Sequence, residues 1–226
     1  MDHFAILMQF LRDRQKFIED ISKGVRIESK IVGLLISSSV FFAIYGAIIG
    51  SFNGWLQMFS SAVKLPALYL LTLIICLPVL YLSDVMSGSY RSFKQYLALL
   101  LASMSVIGTM LFGFSPIVLF FRLSIDDYHF FKFLNVAIFA ITGIVGVTGF
   151  AQSMLFIANQ DSPKPKQKSG MVRAWLVLYA FVGSQLGWTL RPFFGDPEQP
   201  FQLFRDLESN FYLHILQTIA KFISQA

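Results

Sequence analysis

The chain has 226 residues, 55% of them hydrophobic and only 14% charged, with a mean hydropathy of +0.63. Soluble domains carry charge on roughly a quarter of their residues, so a water-solvated globule is excluded: too few polar groups exist to cover its core. The net charge of +5 would suggest nucleic acid in a soluble protein; here Lys and Arg flank apolar runs, where they set topology and meet anionic lipid headgroups, and no nucleic-acid partner is expected.

Residues 1–29 read as an N-terminal cytoplasmic segment. Within it, residues 3–25 predict an amphipathic helix: Phe4, Leu7, Met8, Leu11, Ile18, Ile21 and Val25 recur at three- and four-residue steps, opposite Arg12, Asp13, Lys16, Glu19, Asp20 and Lys23. Such a helix lies at headgroup level or packs on the protein's own cytoplasmic face. Asp2, Asp13, Glu19 and Asp20 interrupt any signal-peptide pattern.

Residues 30–194 read as a five-helix transmembrane domain. A first span is expected at about 31–50. Residues 51–65 are too polar to cross and predict a short interfacial helix. A second span follows at about 66–82, with Pro66 in its first turn and a kink at Pro78. The third, at about 93–114, begins an apolar run to Leu123 that Pro116 should divide, leaving residues 115–123 to span or to lie in the interface. The fourth is long, about 130–157, and should tilt. Residues 159–170, with Lys and Pro and almost no apolar side chains, read as a solvated linker. The fifth span is expected at about 172–190, with Trp175 and Trp188 as interfacial anchors. Residues 195–226 form a tail of mixed polarity whose second amphipathic helix, about 211–224, is too short to cross. The fold class is therefore all-α: a polytopic membrane bundle with amphipathic ends.

Five spans put the termini on opposite sides. The segments sharing a side with the N-terminus carry 12 Lys and Arg, the others 6. The positive-inside rule then places the N-terminus in the cytoplasm and the C-terminus across a bacterial inner membrane or thylakoid.

Small residues form stripes: Gly46 and Gly50 in the first span, Gly143, Gly146 and Gly149 in the fourth, Gly183 and Gly187 in the fifth. In lipid such stripes let backbones approach, either within one subunit or between partners. Ionisable residues inside the spans are nearly absent; Asp84 and Lys132 sit at span ends and can snorkel. The polar interior candidates are Asn135, Gln152 and Gln185, as interhelical hydrogen-bonding groups or, for the two glutamines, as a substrate site. The tail from Trp188 has an unusual aromatic density. Trp188, Arg191, Phe193, Phe194, Phe201, Phe204 and Arg205 form either a cover over the protein's own outer face or a surface for a partner or lipid, with the arginines meeting carboxylates or phosphates. The lone Cys76 and the scattered His3, His129 and His214 match no metal or haem pattern. No cofactor is expected, and no acid, base or nucleophile cluster predicts an enzyme.

Residues 64–121 (KLPALYLLTLIICLP, a polar turn, SFKQYLALLLAS, then SPIVLFF) resemble bacterial multi-pass proteins of the Yip1-like type. The tail LRPFFG is similar to that of bacterial membrane proteins, some of them cyanobacterial. The resemblance implies a cytoplasmic N-terminal segment, about five spans and an organising role. GTPase binding by eukaryotic Yip1 proteins is not implied, because no binding residues match. The expected function is a non-catalytic membrane subunit or scaffold with the bilayer and other membrane subunits as partners, a homo-oligomer being compatible. The alternative is a small channel, pore or transporter, suggested by Pro78 and Pro116.

Overall fold

The computed structural model describes residues 3–125, 127–161, 165–195 and 201–205. Seven α-helices follow in order: α1 (His3–Arg12), α2 (Arg14–Ser22), α3 (Ile27–Gly50), α4 (Trp55–Met86), α5 (Phe93–Ser124), α6 (Tyr128–Asp161) and α7 (Pro165–Thr189), with one 3-10 turn at Ser51–Asn53. No strand occurs among the described residues. Four helices are long and apolar enough to cross a membrane: Ile27–Asn53, Trp55–Met86, Phe93–Ser124 and Tyr128–Ile157. An integral membrane protein is the direct implication.

The helices of the bundle outrun the spans read from the sequence. α4 is 32 residues long, about 48 Å at 1.5 Å per residue, so the expected interfacial helix and second span are one continuous element. Pro66 lies well inside it rather than in a first turn, and α4 continues through Pro78. α5 likewise runs unbroken through Pro116 to Ser124, so residues 115–123 prolong the third helix. A proline removes one N–H and crowds one carbonyl, but contacts with neighbouring helices outweigh that local loss. α4 packs along α3 and α7, and α5 along α3 and α6.

The N-terminal segment is two helices instead of one. The Asp13 carboxylate accepts the Lys16 N–H at 3.1 Å, so it caps α2 and turns the chain there. α1 lies along α3. A Cβ on Gly33 would sit 2.6 Å from Ile6 Cδ1, Ser37 Oγ donates to the His3 carbonyl at 3.3 Å, and the Phe4 and Phe41 rings are 5.8 Å apart. Gly33, Ser37 and Phe41 form one face of α3, so α1 reaches past the midpoint of that helix. α2 is tied to the other end of the bundle wall: Gln95 Nε2 donates to the carbonyls of Ile21 and Ser22 at 3.2 and 2.7 Å. Its side chain also accepts the Ser92 N–H at 2.7 Å, closing the capping box that starts α5.

The expected C-terminal amphipathic helix at 211–224, and His214, lie outside the described residues.

Candidate functional site

The first half of α4 carries Gln57, Ser61 and Lys64 on one face, at steps of four and three. All three are buried, Lys64 at 5% exposure. Their partners come from the segment after α7, an irregular strap at 190–195. Gln57 Nε2 donates to Pro192 O at 2.9 Å and to Ser61 Oγ at 2.9 Å. Ser61 Oγ donates to Phe193 O. Lys64 Nζ donates to Pro192 O at 3.3 Å and to Leu203 O, and lies 4.8 Å from the Phe204 ring centre. The physical logic is complementary: a Pro-containing strap has carbonyls that no helix satisfies, and α4 supplies the donors. Tyr128 OH adds a bond to Gly195 O at 2.6 Å. No carboxylate reaches Lys64 among the described residues.

This strap contains Arg191, Phe193 and Phe194 of the aromatic tail read from the sequence. Pro192 and Gly195 are buried, and Phe194 meets Phe131 edge-on at 6.5 Å. Arg191 stacks on the Trp188 ring at 3.4 Å. Residues 190–195 thus cover the protein's own α4 and α6, while Phe201 and Phe204 stay exposed at 37% and 54%. Arg205 N–H donates to Arg191 O at 3.3 Å, joining the two pieces.

Beside the strap, an apolar cleft of about 540 Å³ opens between α4, α6 and α7. Leu65, Leu68 and Tyr69 form one wall, Val136 and Phe139 a second, Gly187 and Trp188 a third, and Phe193 and Phe194 its end.

The glycine stripes divide by use. A Cβ on Gly46 would lie 2.4 Å from Ser61 O, and one on Gly50 2.5 Å from Gln57 O; these two positions hold α3 against the part of α4 that carries the strap. A Cβ on Gly146 would lie 2.3 Å from Ile107 Cγ1, and one on Gly149 2.7 Å from Arg14 Nη2. A Cβ on Gly143 or Gly187 would meet nothing within 4 Å among the described residues, and one on Gly183 would meet only Thr72, at an ordinary 3.7 Å.

The three polar interior candidates do not converge. Asn135 is fully buried, accepts the Tyr45 hydroxyl at 2.7 Å and donates to Phe131 O at 2.8 Å, so it joins α3 to α6. Gln152 is exposed and borders a pocket with Arg14, while Gln185 is half-buried on α7 toward the strap. Gln152 and Gln185 therefore lie toward opposite ends of the bundle.

The sequence reading missed the buried charges. Asp84 does not snorkel: it is 0% exposed, pairs with Arg91 Nη1 at 3.4 Å and accepts the Tyr96 hydroxyl. Ser89 completes the group, its Oγ 3.0 Å from Tyr96 OH. Lys30, read as a flanking charge, is buried against Asp20 at 3.1 Å and over the Phe17 ring at 4.6 Å. Arg14 Nη2 donates to Gly149 O at 2.6 Å and to Ser153 Oγ at 3.2 Å. Burial lowers the proton affinity of Arg14, and a guanidinium in a protein keeps its charge. Acidic and basic residues flanking a short turn, as Asp84 and Arg91 do, were the one available signal. Trp175 is no interfacial anchor either: it is buried and donates to Cys76 O at 2.9 Å. Among the described residues no three His, Cys, Asp or Glu side chains gather in a metal-binding group.

Comparison with protein-family models, with curated proteins and with solved structures finds no match to this chain.

Proposed function

We propose that the chain is a non-catalytic subunit or scaffold of a membrane complex, crossing the bilayer five times and docking on another membrane protein through α7. The observation that carries this reading is the contrast between glycine faces. On α3, Gly46 and Gly50 are filled by the chain's own α4; on α7, Gly183 has only ordinary contact and Gly187 none, next to an apolar cleft. A small-residue face bordering apolar walls accepts a partner helix at short range. The Yip1-like resemblance of residues 64–121 points the same way.

α7 supplies the fifth span in this reading. Its start meets the turn after α4, with Ser87 Oγ 3.5 Å from Met171 Sδ, and the strap beyond its end meets the start of α4 through Gln57 and Pro192. α7 therefore travels the length of α4 in the opposite sense. The N-terminal side is cytoplasmic by its excess of Lys and Arg, and the strap faces the other compartment of a bacterial inner or thylakoid membrane. Cys76 is buried, so added thiols report cleanly. Tyr90→Cys and Phe201→Cys should label from opposite sides with a membrane-impermeant reagent; labelling of both from one side would remove the fifth span.

Docking is tested by purification in mild detergent with and without Gly187→Leu. The unaltered chain should co-purify with a defined membrane partner and the variant should lose it while remaining folded. A monodisperse free monomer in both cases would defeat the proposal. The channel reading rests on Pro78 and Pro116, and both lie in unbroken helices.

A further inference from the structure

We infer that Arg14, together with Gln15 and Gln152, forms a binding site for the phosphate of an anionic phospholipid, at the junction of α2 and α6, with Ser153 holding the arginine in place. A pocket of about 200 Å³ lies there, with Ile18 and Phe156 completing its walls. Arg14 uses Nη2 to hold Gly149 O and Ser153 Oγ. Those two bonds fix the plane of the guanidinium, and its remaining N–H groups, on Nη1 and Nε, make no bond among the described residues. Among the described residues no carboxylate pairs with it: the nearest in sequence, Asp13, caps the Lys16 N–H, and the ion pairs there engage Lys30, Arg91 and Lys94. A half-buried, oriented cation without an anion among the described residues, flanked by two amides, matches a tetrahedral oxyanion with several acceptor oxygens, while the Ser153 hydroxyl donates to Gly149 O at 2.8 Å and stays with the protein.

The surroundings favour a lipid as its source. Arg12 and Lys16 add exposed positive charge on the same segment, Ile18 and Phe156 give an acyl chain an apolar start, and α6 presents exposed Ile144 and Val145 farther along. The closeness of the guanidinium to α6 is itself built in, since a Cβ on Gly149 would meet Arg14 Nη2 at 2.7 Å. The inference rests on the chain residing in a bilayer and is independent of docking through α7.

The test uses the full chain, delipidated in detergent, titrated with phosphatidylglycerol or phosphatidylcholine and read by native mass spectrometry. The unaltered protein should retain one phosphatidylglycerol about tenfold or more tightly than phosphatidylcholine. Arg14→Gln should abolish the preference, Arg14→Lys should restore part of it, and Gln152→Leu should weaken it several-fold. Gln152 is exposed, so that variant stays informative even where Arg14→Gln fails to fold. Equal retention of the two lipids, or an unchanged preference in Gln152→Leu together with any folded Arg14→Gln, would overturn the site. Inorganic phosphate forms the second arm: failure to displace the lipid supports a lipid site, while binding of phosphate with no lipid retained keeps the oxyanion chemistry and rejects its lipid source.

Discussion

The Tyr45 hydroxyl donates to the Asn135 amide oxygen at 2.7 Å, between two side chains that are each 0% exposed. Ninety positions separate them in the chain, and the bond clamps α3 to α6. Interhelical hydrogen bonds in membrane proteins contribute about 0.6 to 2 kcal/mol. Tyr45→Phe should lower stability by about 1 kcal/mol and leave Asn135 its bond to Phe131 O. Asn135→Leu should cost more, because it strands the hydroxyl and adds bulk. Unfolding in detergent by heat or denaturant measures both, and a double-variant cycle isolates the shared bond.

Gly46 and Gly143 make a matched pair for substitution. An alanine at Gly46 collides with the Ser61 carbonyl, whereas at Gly143 it meets open space. Overpacking at a helix crossing costs about 1–3 kcal/mol, so Gly46→Ala should reduce the melting temperature by several degrees and Gly143→Ala should be nearly neutral. Equal effects would mean that α3 and α4 are not in close contact there.

The Asp84–Arg91 pair should behave as a unit. Removing one member leaves a buried charge uncompensated, at about 3–5 kcal/mol, while replacing both costs much less. Asp84→Asn and Arg91→Met should each destabilise more than the combined variant. Additive losses would show that the two groups are independent.

Strap closure depends on the donors of α4. Lys64→Met removes the donor to Leu203 O but leaves Gln57 on Pro192 O. Limited proteolysis near residues 201–205 should therefore accelerate in Lys64→Met. Gln57→Leu should instead expose 190–195. The loss of one such bond corresponds to about 1–3 kcal/mol.

The apolar runs made four of the long helices legible from sequence, since hydropathy reports the solvent of a segment directly. Their ends were less legible. Polar residues at 51–65 suggested an interfacial helix, but Gln57, Ser61 and Lys64 are polar because the strap needs donors. Pro66 and Pro116 looked like boundaries because local propensity was weighed without the neighbouring helices that stabilise α4 and α5. Buried charges were the least legible. Asp84 with Arg91 spans a turn and could have been suspected; Arg14 against Gly149, 135 positions away, could not, because a single sequence carries no record of which distant backbone a guanidinium meets. The glycine stripes were found, but only the three-dimensional contacts distinguish filled Gly46 from open Gly187.

Translation runs in one direction, and the Lys64 ammonium is made long before the carbonyls of Pro192 and Leu203 that receive it. Through the synthesis of α5, α6 and α7 those two acceptors do not yet exist. A chain halted before residue 190 therefore lacks the acceptors of Lys64, so this corner of the bundle closes only when the last described segment has been made.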